Sequence, residues 1–292
     1  MAPSDRPYSA RQGLTDRALS VGDAARGVAL SKEIGWNQTL ADWTYMLENG
    51  AGVGLSDDAG KLIASAMALP YGRFGWVCMV LVAPDWRRQG LATDLMNRVI
   101  ALLIEKGTIP GLDATPAGRE VYRHLGFKDI YGIERLVGEA VSLEAPVPAG
   151  IHLSPLRPED MPAVNAYDAP RFGGNRSSLL DHLRERQPLR AHAAWTGSNL
   201  CGFALARDGQ YWTQIGPVVA DNDDIAAALV AAAAGDGTRL LIDSPAAQAR
   251  TVAWLKAGGF EFQRPYTRMI HLQSAPLDRP KAIYALAGPE LG

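Results

Sequence analysis

The stretch Val80-Leu81-Val82-Ala83-Pro84-Asp85-Trp86-Arg87-Arg88-Gln89-Gly90-Leu91-Ala92 constrains the fold more than any other part of the chain. It passes from an apolar strand through a proline turn into the amphipathic helix pattern of Leu91–Lys106, the strand-to-helix step of an α/β chain. A helix N-terminus presents unpaired N–H groups and partial positive charge, so it attracts phosphate. Gly90 and the small Ala92 let the backbone come close to a pyrophosphate, where a bulky side chain would hold it off. Arg87 and Arg88 add charge where the anion would sit.

The pattern around this element alternates strands and helices from Arg17 to about Gly138. Val21–Ile34 and Leu40–Glu48 read as helices joined through Gly35-Trp36-Asn37, and the polar turn Ser56–Gly60 reads as a hairpin. Strands are expected at Lys61–Leu69 and Arg73–Ala83. After the long helix come a strand at Ile109–Ala114, a helix at Ala117–Leu125 and a closing strand at Phe127–Val137. The Pro- and Ala-rich residues 141–150 read as a linker between a domain at 1–140 and a second at 151–292. The order of elements then recurs. Leu125-Gly126-Phe127 is matched by Gly258-Gly259-Phe260 about 130 residues later, each between a helix and a last strand, so an internal duplication accounts for the pattern.

Arg87-Arg88-Gln89-Gly90-Leu91-Ala92 resembles motif A of the GNAT superfamily of acetyltransferases, written Arg/Gln-x-x-Gly-x-Gly/Ala. The likeness extends upstream to Val82-Ala83-Pro84 and downstream to Tyr122 and Gly126-Phe127, which are similar to the family's Tyr-x-x-x-Gly-Phe element. The resemblance implies an α/β fold of two GNAT-like domains in tandem, each a central mixed β-sheet flanked by helices. It implies acetyl-coenzyme A as acyl donor. Val80, Leu81 and Val82 fall where the family's splayed strand meets pantetheine and the thioester, and Arg87, Arg88, Gln89, Gly90, Leu91 and Ala92 fall where the pyrophosphate is held. Tyr122 falls where many members place a general acid near the departing sulfur. Trp36 followed by Asn37, with the Ala287-Gly288-Pro289-Glu290-Leu291-Gly292 tail, is similar to a bacterial subfamily of tandem acetyltransferases.

Acyl transfer to an amine needs a deprotonation, because an alkyl ammonium is less than about 1% neutral at pH 7. Asp113, at the end of a strand, is the first candidate for the base; Glu33 and Asp42, which flank Trp36 and Trp43, are others. Trp36 and Asn37 lie between the helices that cover the acceptor side of this fold, which makes them candidates for substrate binding.

The second half departs from the motif. After Gln214–Ala220 it offers Asp221-Asn222-Asp223-Asp224 where a pyrophosphate would need positive charge, and Leu255 stands where the first half has Tyr122. This half reads as a degenerate copy, structural or lining the acceptor site. Arg171, Phe172, Asn175 and Arg176 form a polar, aromatic loop that could face the first half, and the apolar tail from Ala282 is expected to pack as a strand.

The formal net charge is −2 with no clustered basic face, which speaks against a nucleic-acid partner. The two cysteines and five histidines show no metal-ligand spacing, so no metal is expected. No apolar run approaches the roughly 20 residues that span a bilayer. A cytoplasmic monomer or homodimer is expected, with no membrane partner. Gly50, Gly52 and Gly54 mimic a dinucleotide fingerprint but follow a helix instead of a strand. The reading is an N-acetyltransferase acting on a small primary amine by direct attack in a ternary complex. The alternatives are a protein lysine or N-terminal acetyltransferase and a non-catalytic acyl-coenzyme A sensor, which Tyr122→Phe would separate from an enzyme.

Overall fold

The computed structural model describes residues 13–139, 143–235 and 239–292. The N-terminal residues 1–12 and linker positions 141 and 142 lie outside the described residues. The chain divides into two compact units, residues 1–110 and 111–292.

In the first unit, strands β1 (Leu14–Ala18), β2 (Ala51–Asp57), β3 (Leu62–Pro70) and β4 (Phe74–Val82) form an antiparallel meander in that order. β1 is an addition to the sequence reading, which begins regular structure at Arg17. Its composition, Leu-Thr-Asp-Arg-Ala, carries no apolar alternation, and its backbone ladder to β2 supplies what the side chains do not signal. Helix α1 (Ala24–Ile34) stops at Gly35, whose φ of 75° suits a residue without a side chain. Helix α2 (Leu40–Asn49) starts from a capping box made by Thr39 and Asp42. The two helices touch at Gly27, where an added Cβ would lie 2.3 Å from the buried Trp43 ring. Helix α3 (Leu91–Glu105) buries Leu91, Leu95, Met96, Val99, Ile100 and Leu103, one stripe at helical spacing.

In the second unit the chain continues from β5 (Ile109–Ala114) into helix α4 (Pro116–His124) and β6 (Phe127–Gly138). Then follow β7 (His152–Pro155), α5 (Met161–Phe172), α6 (Ser177–Arg186), β8 (His192–Thr196), β9 (Asn199–Arg207) and β10 (Thr213–Ala220). Helix α7 (Asp223–Ala234), β11 (Leu240–Pro245), α8 (Ala249–Ala257), β12 (Glu261–His271) and β13 (Ile283–Ala285) complete it.

The strand order in this unit is β5-β12-β6-β11-β10-β9-β8-β7, with β13 paired to β10. The last strands of the two repeats are therefore exchanged. β12 inserts between β5 and β6, and β6 inserts between β12 and β11, all antiparallel. Arg135 on β6 seals one exchange with a buried bidentate bond to Asp243 on β11, both contacts at 2.7 Å. Arg268 on β12 seals the other by gripping Asp113 on β5 at 2.9 and 2.8 Å. The sequence repeat and the compact unit are thus different divisions of the chain, because pairing across the repeat holds residues 111–138 to the later strands.

Candidate functional site

β4 carries an irregularity in the strand that leads into the Arg87–Ala92 motif. Ser65 pairs with Leu81 and Met67 with Cys78, so Met79 and Val80 together oppose the single residue Ala66, a β-bulge. Met79 holds φ at 50°, in the left-handed region that non-glycine residues rarely enter. Its carbonyl accepts a 2.8 Å hydrogen bond from the Ser65 hydroxyl, in a place sealed from solvent. Beyond the bulge, Leu81 is buried while Val80 and Val82 are partly open.

Past Val82 the chain turns through a short 310 segment at Pro84–Trp86, and Arg87 Nε ties the turn by donating to the Val82 carbonyl at 3.2 Å. Arg88 has φ 59° and Gly90, the N-cap of α3, has φ 81°. Left-handed residues in such a turn bring successive N–H groups onto one concave side, a nest for anions. Arg87, Arg88, Gln89 and Gly90 are exposed, Leu91 is buried and anchors the helix, and Ala92 is half-buried beside it. The first unit thus presents donors, positive charge and a helix N-terminus together.

The second half repeats the bulge and removes its chemistry. Ile215 pairs with Ala206 and Val218 with Ala204, which leaves Gly216 and Pro217 as the extra pair. Counted from the bulge, Gly216 matches Met79 and Pro217 matches Val80, so the residue at the second position has no N–H to donate. Ala204 stands where the first half has Ser65. Asn222 caps α7, its side chain accepting from Ile225 N–H at 3.0 Å, and Asp223 and Asp224 follow in the first turn. Asp221 is engaged by Tyr167 at 2.7 Å and Arg171 at 2.9 Å, and Arg250 pairs with Asp224 at 2.6 Å.

The tail fills the space between the strands that follow this bulge. β10 and β11 pair in parallel only over Thr213–Ile215 and Leu240–Ile242. Where they diverge, β13 enters: Val218 and Val219 of β10 pair with it, and Leu286 N–H donates to the Asp243 carbonyl of β11 at 2.9 Å. Gly216 is required here, since a Cβ would stand 1.9 Å from the Leu286 carbonyl oxygen. Glu290 forms a buried ion pair with Arg207, and Arg176 donates to the Gly292 carbonyl oxygen at 3.0 Å. The loop residues expected at an acceptor face are used inside this unit instead. Phe172 is buried with the Arg176 guanidinium 3.9 Å over its ring, Arg176 pairs with Asp168, and Asn175 accepts from Ser177 N–H.

Tyr122 lies on α4, half-buried, its ring centroid 6.3 Å from that of Phe127. Burial pushes its phenol up to about 12, so it carries its proton throughout the physiological range. Asp113 requires a correction. Its side chain is wholly buried and both oxygens are held by Arg268, which also pairs with Asp278. Burial lifts the Asp113 carboxyl against the pull of Arg268, while the Arg268 guanidinium is held well above its ordinary value, burial opposing and Asp113 leading the groups that raise it. A carboxylate so enclosed is shut off from an incoming ammonium. Glu33 pairs with Lys61 at 2.8 Å, and the 2% exposed Asp42 caps α2, with Thr39 N–H donating at 2.7 Å. Trp36 is half-buried just past the end of α1, its backbone N–H donating to the Ser31 carbonyl at 2.9 Å, whereas Asn37 is 7% exposed and engaged within the fold. Among the described residues no group of three His, Cys, Asp or Glu side chains could hold a metal ion, and no helix is long and apolar enough to cross a membrane.

Comparison with known proteins agrees with this geometry. A profile described as the acetyltransferase (GNAT) family matches residues 27–127, and one described as an acetyltransferase (GNAT) domain matches residues 164–285. The chain is 25% identical over 253 residues to the uncharacterized N-acetyltransferase YitH of Bacillus subtilis, covering 85% of this chain and 87% of that protein. It is 25% identical over 264 residues to the holothin acyltransferase of a Pseudoalteromonas species, covering 88% of this chain and 87% of that protein. A Pyrococcus horikoshii protein crystallised as an acetyltransferase candidate superimposes with a TM-score of 0.79 at 19% identity, covering 100% of this chain and 99% of that one, which establishes the shared fold. The chain belongs to the GNAT superfamily: it is an acyl-transferring enzyme built from two GNAT domains in tandem.

Proposed function

We propose that the chain moves an acetyl group from acetyl-coenzyme A to a primary amine of a small molecule, by direct attack in a ternary complex. One acyl-coenzyme A is bound per chain, at the β4–α3 element. The observation that carries this reading is the contrast between the two bulges. The first is followed by Arg87, Arg88 and a left-handed Gly90 opening a helix, while the second contains a proline without N–H and is followed by carboxylates and a seated tail. A pyrophosphate suits the former and is repelled by the latter.

In this reading the amine nitrogen attacks the thioester carbonyl carbon, and the oxygen that becomes negative meets the Val80 N–H, the kind of preorganised donor that supplies much of acyl-transfer catalysis. The tetrahedral carbon then expels sulfur with the bonding electron pair. A thiolate, whose conjugate acid has a pKa of about 8.5, is a fair leaving group. Tyr122, protonated at all working pH values, is assigned to donate to it. With Asp113, Glu33 and Asp42 committed elsewhere, the amine proton leaves to water. The relative named for holothin acylation favours a small acceptor over a protein one.

The test is a screen of primary amines for coenzyme A release, followed by Tyr122→Phe. An enzyme of this kind releases thiol with some amines, and the variant keeps coenzyme A affinity while losing rate about 10²-fold, the low end for a positioned general acid because a thiolate is already a fair leaving group. Thiol release with none of the amines, despite tight acetyl-coenzyme A binding, would favour the sensor.

A further inference from the structure

We infer that Ser65 is a positioning residue for acyl transfer, holding the peptide unit whose N–H serves the developing oxyanion; this rests on the acetyl-coenzyme A reading given above. The Met79 carbonyl and the Val80 N–H belong to one planar trans peptide, so they point in opposite directions and turn as a rigid body. Fixing the carbonyl fixes the N–H.

The Ser65 hydroxyl does the fixing. It donates to the Met79 carbonyl at 2.8 Å from the neighbouring strand β3, and Ser65 is 0% exposed, so no solvent competes for that bond. The clamp directs the carbonyl toward β3 and therefore turns the Val80 N–H away from β3. It also polarises the peptide, because an amide whose carbonyl accepts a hydrogen bond is a better donor at its N–H.

The conformation needs such a device. Met79 sits at φ 50°, a backbone conformation that is unfavourable for a non-glycine residue and persists only where the surroundings enforce it. The neighbouring half supplies an internal control. There the bulge is kept by glycine and proline, the residue opposite is Ala204 in place of Ser65, and Pro217 offers no N–H to aim. Hydroxyl and N–H are present together in one half and absent together in the other. A serine that merely satisfied a buried carbonyl would have no reason to vanish with the donor.

The experiment uses the full chain and Ser65→Ala. Coenzyme A, acetyl-coenzyme A and a thioether analogue lacking the reactive carbonyl are titrated into wild type and variant, and thiol release is followed with n-butylamine as probe acceptor. The expected result is coenzyme A affinity within about threefold of wild type and loss of any preference for acetyl-coenzyme A over the thioether. The turnover number should fall about 10- to 100-fold, less than the 10²–10³ of a deleted oxyanion donor, with KM little changed. Ser65→Thr, which keeps the hydroxyl, should restore most of the rate. Should the variants fail to fold, amide NMR of the wild type decides: the Val80 N–H resonance should shift with acetyl-coenzyme A well beyond its shift with coenzyme A. A folded Ser65→Ala chain with wild-type turnover and selectivity, or a Val80 amide indifferent to the acetyl group, overturns the inference. Wild type that binds neither form of coenzyme A instead overturns the functional reading beneath it.

Discussion

Replacing Arg268 by Met should destabilise the second unit strongly and in a pH-dependent way. The guanidinium is buried and neutralises two carboxylates, Asp113 on β5 through a bidentate bond and Asp278 after β12. Its removal leaves both acids in a dry interior, with Tyr131 still donating to Asp278 at 2.6 Å. Breaking a buried pair from one side costs about 3–5 kcal/mol, since the remaining charge is uncompensated. For a chain of this size each kcal/mol moves the melting midpoint about 2–4 °C, so a fall of roughly 6–20 °C is expected at pH 7.5. The pH dependence follows from the sign of the shift. With Arg268 gone, desolvation leads and the nearby Asp278 and Asp243 carboxylates add to it, so the folded pKa of Asp113 rises further above the unfolded value of about 3.9. A raised folded pKa favours the folded state most below the unfolded pKa, and that advantage is lost as pH rises through the folded pKa. The deficit against wild type should therefore shrink as pH falls from 7.5 toward 4.5. Calorimetric scans across that range check this. A midpoint within about 2 °C of wild type, or a deficit that widens in acid, would refute the buried ion-pair account. Asp113→Asn serves as companion: it should lower the midpoint, with activity following the folded fraction, whereas a catalytic base would abolish turnover in a fully stable chain.

Two further outcomes follow. Gly216→Val places side-chain atoms on the Leu286 carbonyl, so it should displace the tail, and trypsin should then cut faster at the exposed Lys281; unchanged cleavage would mean that the tail is held elsewhere. The pH–rate profile under saturating acetyl-coenzyme A should climb with unit slope in log kcat/KM toward the amine's own pKa of about 10.4, because the candidate bases Asp113, Glu33 and Asp42 are engaged by other groups. Tyr122 adds no falling limb before about pH 12. A plateau near pH 7 would reveal a base that this account lacks.

Much of the site could be read from local sequence, because its chemistry depends on neighbours along the chain. Arg87, Arg88, Gly90 and the amphipathic α3 report a strand, a turn and a helix N-terminus within a dozen residues, and the structure places those features there. Repetition was legible for the same reason, as was the loss of positive charge at Asp221–Asp224. What could not be read depends on partners distant in sequence. Asp113 looks like a free acid at a strand end until Arg268 arrives from 155 positions away. The exchange of β6 and β12 is invisible because both are strands of similar character, and alternation says which face is buried without saying which neighbour is paired. Met79 gives no sign of a left-handed backbone, since the cue for that is glycine or asparagine. Gly216-Pro217 in the second half was the available hint, a turn dipeptide inside a strand marking where both copies bulge. Arg176 reads as a loop cation and is a buried anchor for the tail, which only the folded chain reveals.

The central claim, one acyl-coenzyme A held by the first half of a tandem acetyltransferase, is tested most directly by titrating the full chain with acetyl-coenzyme A while following amide hydrogen exchange. The account predicts a stoichiometry of one, slowed exchange across residues 79–92, and no change across residues 216–225, where the tail already occupies the diverging strands. Two bound molecules, or protection centred on residues 216–225, would contradict it.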